Sequence, residues 1–231
     1  MCREATAAVA TDGRVFTWGI GKHSVLGQGS RTDAPNADTP VPVPGATDIV
    51  QVAVGAAHMV ALDSAGVVWT WGASGRSSPT GRTGEHASPG AVQGALKGAK
   101  ATQVAAGRRH GVALDTEGRV YTWGNGHYGA LGNGGRKDAP EPQQVALPGA
   151  AVQVAAGSDH TLVLMEDGTV MAFGSEETGQ CGAGFSARCI RSPKLVNGLQ
   201  GRNITKVSSA AQGHATDLCN WHQYVLLLCA C

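Results

Sequence analysis

QVAAGRRHGVALDTEGRVYTWG, residues 103–124, reads as three short β-runs separated by turns. Gln103–Ala106 is β-prone and ends at Gly107. Val112-Ala113-Leu114 follows His110 and is closed by Asp115-Thr116-Glu117-Gly118, a turn with glycine in its final place. Arg119–Trp123 then runs Arg, Val, Tyr, Thr, Trp, read here as the period-2 pattern of a strand with one buried face. A fourth run, Gln143–Leu147, follows a Gly- and Pro-rich loop that contains Pro140 and Pro142.

The same phrase returns as QVAVGAAHMVALDSAGVVWTWG at 51–72 and as QVAAGSDHTLVLMEDGTVMAFG at 153–174, with a shortened copy, EATAAVATDGRVFTWG, at 4–19. His58, His110 and His160 therefore occupy one slot, and Asp12-Gly13, Glu117-Gly118 and Asp167-Gly168 supply the same hairpin chemistry. A period near fifty residues with four short strands is the content of a propeller blade. No helical periodicity competes with it, which excludes the helical solenoids. The expected fold is all-β: propeller blades of four antiparallel strands, about four blades. The repeat region spans 4–209, in copies at about 4–50, 51–102, 103–152 and 153–206. Lys206-Val207-Ser208-Ser209 begins a further copy, and 210–231 is a divergent C-terminal tail with neither a D-G turn nor a W-G.

Each copy carries an aromatic in one slot, Trp18, Trp71, Trp123 or Phe173, followed by Gly19, Gly72, Gly124 or Gly174. These aromatics are expected to pack blade on blade. A second landmark lies eight residues beyond: Gly27, Gly132 and Gly182 close VLG, ALG and QCG. The second copy breaks this spacing with ASGRSSPTGRTG after Gly72, so that loop is expected to lack the anchor and to be mobile.

Composition narrows the classes. The 231 residues hold 18 basic and 17 acidic side chains, net +1, which argues against a general affinity for nucleic acid. Charged residues are only 15% while glycine reaches 34, a usage that suits many tight turns; 42% hydrophobic content, patterned as above, is not that of a disordered chain. The amino terminus has no basic-then-apolar segment, and the longest apolar run, Tyr224–Cys231, is far short of a membrane span. Of six cysteines, five follow residue 180 and none forms C-x-x-C, so a reducing compartment, cytoplasmic or nuclear, is expected.

The pattern A-A-G-x-x-H-x-x-A-L-x-x-x-G-x-V-x-x-W-G with a following G-x-L-G resembles the repeat of the regulator of chromosome condensation family, and it covers about residues 4–209. The resemblance implies a β-propeller, usually of seven blades. It also implies a range of tasks, since members include the exchange factor for the small GTPase Ran, a plant ultraviolet-B receptor and modules of ubiquitin ligases; fold alone does not choose among them. This chain departs from the family pattern. It holds a little over four blades, it starts inside a repeat with Ala5 in the histidine slot, and its end loses the grammar. A partial or divergent member is expected, whose open strand edges at both ends favour association.

No catalytic motif emerges: neither G-x-S-x-G nor a P-loop occurs, and Gly19-Ile20-Gly21 and Gly124-Asn125-Gly126 lead into turns rather than helices. The repeat histidines sit one per blade, a placement that suits hydrogen bonds to neighbouring backbone better than a shared centre. His214, Cys219, His222, Cys229 and Cys231 follow no common zinc spacing, so no metal and no cofactor are expected. Binding is the better expectation, because propellers mount variable loops on a rigid ring. Loops around 107–110, 125–129, 157–160 and 175–179 hold the candidate contacts Arg108, Arg109, His127, Tyr128, Asp159, Glu176 and Glu177. By resemblance to the Ran exchange factor, Asp159 stands where an acidic residue before the histidine meets the GTPase. By resemblance to the ultraviolet-B receptor, Arg108 stands where a light-sensing tryptophan would be, which disfavours light sensing. The expected task is non-enzymatic protein binding as a scaffold or adaptor, with guanine-nucleotide exchange on a Ran-like small GTPase as the alternative. The expected partner is a protein, with a small GTPase as the candidate, and neither nucleic acid nor membrane.

Overall fold

The computed structural model describes residues 5–29, 36–73, 78–83, 86–184 and 188–209, together with the backbone of 228–229. The first sheet holds β1 (Ala5–Val9), β2 (Val15–Gly19) and β3 (Ala37–Pro42). Three four-stranded sheets follow: β4 (Ile49–Val54), β5 (His58–Asp63), β6 (Val68–Gly72) and β7 (Gly90–Ala91); then β8 (Ala101–Ala106), β9 (His110–Asp115), β10 (Val120–Gly124) and β11 (Ala139–Gln144); then β12 (Ala151–Ala156), β13 (His160–Met165), β14 (Val170–Ser175) and β15 (Cys189–Leu195). Every sheet is an antiparallel meander in chain order. These are blades of a β-propeller. β16 (Ile204–Lys206) begins the next unit and pairs with β17 (Leu228–Cys229).

The hairpins form where the turn chemistry dictates. Asp63 Oδ1 accepts the Ala65 and Val67 amides, Asp115 Oδ1 those of Glu117 and Arg119, and Asp167 Oδ1 that of Thr169. The glycine ending each turn has positive φ, +87° at Gly66 and +73° at Gly118, a region that other residues enter at a cost of about 1–2 kcal/mol.

The core lies between blades. Val25, Leu26 and Val43 of the first blade pack with Met59, Ala61 and Trp71 of the second, and the pattern repeats onward through Trp123 and Phe173. Each of these aromatics is 0% exposed and lies on a glycine of the preceding blade: Trp71 on Gly27, Trp123 on Gly81, Phe173 on Gly132. A Cβ on those glycines would come within 2.9 Å of the ring.

Gly81 corrects the expectation that the second copy lacks its landmark. It lies nine residues after Gly72 rather than eight, and Thr80 stands where Leu26 and Leu131 stand elsewhere. The Thr70 hydroxyl donates to Thr80 O, as Thr17 does to Leu26 O and Thr122 to Leu131 O. The buried Thr80 hydroxyl is satisfied by Ser78 Oγ at 2.8 Å and His86 Nδ1 at 2.6 Å, so a polar trio replaces the leucine. The expected mobility of this loop falls partly on residues 74–77 and 84, outside the described residues.

A second device joins neighbouring blades. The register slips just before Gln51, Gln103 and Gln153, and such bulges re-aim a side chain. The amide of Gln51 then donates to Val104 O at 2.9 Å and accepts from Val104 N at 3.0 Å. Gln153 does the same with Val207, and Gln103 accepts from Val154 N.

Candidate functional site

The pairings His58↔Gly72, His110↔Gly124 and His160↔Gly174 bring two sets of loops to one end of the blades. The short loops 55–57, 107–109 and 157–159 precede the histidines, and the chain leaving each W-G or F-G meets them at Ala73, Asn125 and Ser175. Backbone bonds stitch the two sets: Ala73 N to Ala57 O, Asn125 N to Arg109 O and Ser175 N to Asp159 O, at 2.7–2.8 Å. Sideways links run from Ala56 N to Arg108 O and from Arg108 N to Ser158 O. The result is a hydrogen-bonded platform that crosses three blades.

Beneath it the imidazoles pack on glycines: a Cβ at Gly55, Gly107 or Gly157 would fall 2.0–2.2 Å from Cε1 of the following histidine. His110 Nε2 meets Thr161 Oγ1 at 3.0 Å and His160 Nε2 meets Ser209 Oγ at 2.8 Å, so these rings partner hydroxyls of the next unit rather than backbone. Neither nitrogen of His58 has a hydrogen-bond partner of good geometry among the described residues, and Gly111 occupies the place corresponding to Thr161. Desolvation lowers the pKa of His58 to about 4, of His110 to about 3 and of His160 to about 4. The His110 backbone partly offsets the effect on His58, and the flanking histidines deepen it for His110. All three rings are neutral at pH 7, each in its own blade.

The candidate contacts divide by exposure. Asp159 is tied up: Arg108 Nη2 lies 2.7 Å from its Oδ2 and Arg108 Nε donates to its Oδ1 at 3.3 Å, a bidentate pair between blades whose side chains are 25% and 20% exposed. Glu176 is buried, and its carboxylate accepts the Cys181 and Ala183 amides at 2.6 and 3.2 Å, closing its own loop. Burial, reinforced by the Glu176 carboxylate beside it, pushes the neighbouring Cys181 thiol pKa upward. Arg109, His127 and Glu177 are exposed, and Tyr128 is half-buried with His127 edge-on at 4.8 Å. His127 O accepts Arg136 Nε at 2.6 Å, and Asp138 Oδ1 accepts Gly126 N at 2.9 Å, which fixes that loop. Sequence reasoning singled out Arg108 and Asp159 without joining them. It also missed the Gln51, Gln103 and Gln153 clamps, although their recurrence in Q-V-A was the available signal.

Among the described residues no three His, Cys, Asp or Glu side chains converge on a metal position. His214, Cys219, His222 and Cys231 lie outside them, as does the Cys229 side chain. Among the described residues, too, no helix is long and apolar enough to cross a membrane.

Comparison with known proteins places the architecture. The ultraviolet-B receptor UVR8 of Arabidopsis thaliana is 34% identical over 148 residues, which cover 63% of this chain and 33% of the receptor. The E3 ubiquitin-protein ligase HERC2 of Homo sapiens is 38% identical over 149 residues, 62% of this chain and 3% of the ligase. Human WBSCR16 superposes with a TM-score of 0.77 at 20% identity over 90% of this chain and 54% of its own. Yeast RCC1 (Prp20), solved bound to Kap60, gives 0.75 at 23% over 90% and 51%. A further structure of Prp20p, from Saccharomyces cerevisiae, was described with its binding to Gsp1p and histones. This chain thus spans a third or less of the two curated relatives and about half of the solved chains. The match to the RCC1-like domain extends over residues 1–225, and the chain belongs to that family.

Proposed function

We propose that the chain is a non-enzymatic scaffold or adaptor that binds a protein partner through the platform formed by its histidine and W-G loops. The observation that carries this reading is the pairing of fixed backbone with exposed side chains at one end: Arg109, His127 and Glu177 stand on loops whose main chains are bonded to each other. A surface ordered before binding loses little conformational entropy on association. Arginine and histidine on the same end as a glutamate favour a partner face of mixed charge. Cytoplasmic or nuclear residence accords with this reading.

The test is affinity capture with quantitative comparison of three baits. A protein retained by the chain and by Glu166→Lys on the opposite hairpin end, but lost with Arg109→Glu/His127→Ala, supports the platform. Equal retention by all three removes it.

Exchange on a small GTPase is the second reading, and Asp159 is its one residue. Both carboxylate oxygens are already held by Arg108, so a contact with a GTPase would first have to open that pair. Faster GDP release from a small GTPase, lost with Asp159→Ala, would establish exchange; unchanged release across a GTPase panel would leave the scaffold.

A further inference from the structure

We propose that Ser192 is a phosphorylation site, presented at the rim of the fourth blade to a proline-directed protein kinase. The site grows out of the outer strands. β3 loses its pairing with β2 between Ala37 and Val41, β11 with β10 between Ala139 and Gln143, and β15 with β14 between Ile190 and Lys194. Each lapse sets three residues opposite one, and the three are Asp38-Thr39-Pro40, Pro140-Glu141-Pro142 and Arg191-Ser192-Pro193. In the second blade Gly72 N donates to His86 O and Thr70 pairs with Gly90, which sets Ala87-Ser88-Pro89 in the same place. The bulge therefore holds a hydroxyl followed by proline in three blades, and glutamate followed by proline in the remaining one.

These positions differ in access, and the difference singles out Ser192. Ser88 is half-buried: a Cβ on Gly29 of the preceding blade would lie 3.3 Å from its Oγ, and Arg82 Nη2 donates to its carbonyl. Ser192 is exposed although the equivalent neighbour is in place, since Gly134 N donates to Arg191 O as Gly29 N does to Ala87 O. The fit there is looser, with 3.7 Å between Ser192 Oγ and a Cβ on Gly134. Glu141 is exposed as well, in a blade with a neighbour on each side, so access at this position belongs to the rim and not to the ends of the chain. Thr39 is exposed, but among the described residues no blade precedes it, and it follows an aspartate rather than an arginine.

Backbone and charge both suit the transfer. Pro193 restricts Ser192 to extended backbone, the bulge releases that stretch from its ladder, and β15 is the outermost strand of its sheet. A kinase that selects proline directly after its acceptor reads this shape. In the reaction Ser192 Oγ attacks the γ-phosphorus of ATP, and the new O–P bond forms as the bond from that phosphorus to ADP breaks. ADP leaves with the electron pair, and the hydroxyl proton passes to the catalytic aspartate of the kinase. The phosphoserine carries a charge of about −1.5 to −2 at pH 7. Arg188, Arg191 and Lys194 flank it with no acidic residue among 188–195, and Arg136 and Lys137 follow Gly134 on the adjoining loop. Glu141 already places an anion at the equivalent point of the third blade.

The test incubates the full folded chain with radiolabelled ATP, magnesium and a mitogen-activated or a cyclin-dependent protein kinase, beside a free peptide of residues 188–197. The expected result is a single phosphoryl group, mapped by mass spectrometry to Ser192 and added at a rate similar to that of the peptide. Ser192→Ala should remove the label and Ser88→Ala should keep it. Pro193→Ala, which leaves the acceptor in place, should slow labelling by about tenfold or more. A urea transition for each variant confirms folding, and Ser192→Glu, which copies the Glu141-Pro142 of the third blade, should keep the wild-type midpoint. Label that survives Ser192→Ala overturns the proposal, as does a chain that neither kinase labels. Labelling of the peptide but of the chain only in urea overturns it too, because the folded rim would then not present the site. A Ser192→Glu midpoint well below wild type would show that the bulge does not accept the charge, with the same consequence.

Discussion

Between the second and third blades, Trp123 lies over Gly111 and its Nε1 donates to Pro79 O at 2.7 Å. Between the third and fourth, the aromatic is Phe173, which has no such hydrogen. There Thr161, directly opposite Phe173 in the sheet, donates its hydroxyl to Ala130 O at 3.0 Å and also meets His110. One interface uses an indole and a glycine; the other uses a phenyl and a threonine. What the repeat preserves is a donor for that buried carbonyl, and the residue that brings it is free to change. The partner of the histidine changes with it. Thr161 serves His110, and Gly111 leaves His58 without a hydroxyl.

The largest expected effect breaks both interfaces together, through acid. The three histidines have folded-state pKa values near 4, 3 and 4, below the ordinary 6.5. Above pH 6.5 neither folded nor unfolded chain binds these protons, so they leave stability unchanged. Below it the unfolded chain protonates first, and stability falls continuously until the folded values are reached. At pH 5 the loss is about 2 kcal/mol per histidine. Urea midpoints at pH 7.5, 6 and 5 measure it; midpoints independent of pH would show that the rings are not buried neutral.

Next comes an exchange of one solution for the other. Trp123→Phe removes the donor to Pro79 O and leaves a void, a cost of about 3 kcal/mol. Gly111→Thr alone sets a Cβ within 2.3 Å of the indole and is expected to be at least as damaging. The double variant rebuilds the Phe173–Thr161 pair and offers His58 a hydroxyl. It should therefore recover about 2 kcal/mol or more relative to the sum of the single changes. Strict additivity in the urea cycle would refute the equivalence of the two interfaces.

Smaller again is the contrast between an inner socket and an outer one. Gly81 and Gly182 share positive φ, +65° and +60°, but a Cβ meets Trp123 only at Gly81. Gly81→Ala is expected to cost about 3 kcal/mol and Gly182→Ala about 1 kcal/mol, the latter from backbone strain. Equal thermal shifts would mean that the indole contact contributes little. The smallest effect is Arg108→Ala, which should cost about 1 kcal/mol or less and shrink in 1 M salt, because the ion pair is only partly shielded from solvent. A loss that salt leaves untouched would point to packing by the Arg108 stem instead.

Much of this was legible in the letters. Alternation and D-G turns gave strands and hairpins, and the recurring aromatic marked the contact between blades. The socket at Gly81 was not legible, because one inserted residue and a Leu-to-Thr change hide it. Thr80 is tolerable there only because Ser78 and His86 meet it in space. The Arg108–Asp159 pair escaped for a different reason: its members lie 51 residues apart, and only the lateral register of two blades makes them neighbours. Glu176 looked like a contact residue because charge in a loop ordinarily faces water, and nothing in the sequence announces that its carboxylate folds back on Cys181 and Ala183. The histidine slot was plain, but the hydroxyl that each ring meets comes from the next unit.

The glutamine clamps have a consequence for how such a chain can be assembled over time. A primary amide has the donor and acceptor of a peptide group, and Gln51 and Gln153 use both against main-chain atoms of the following unit. The grip therefore reads no side chain at all. A duplicated unit inserted anywhere in the series would find its neighbour's grip waiting, and a unit that drifted in sequence would still be held. Gene duplication can lengthen, shorten or reorder an array of this kind without inventing a new joint each time.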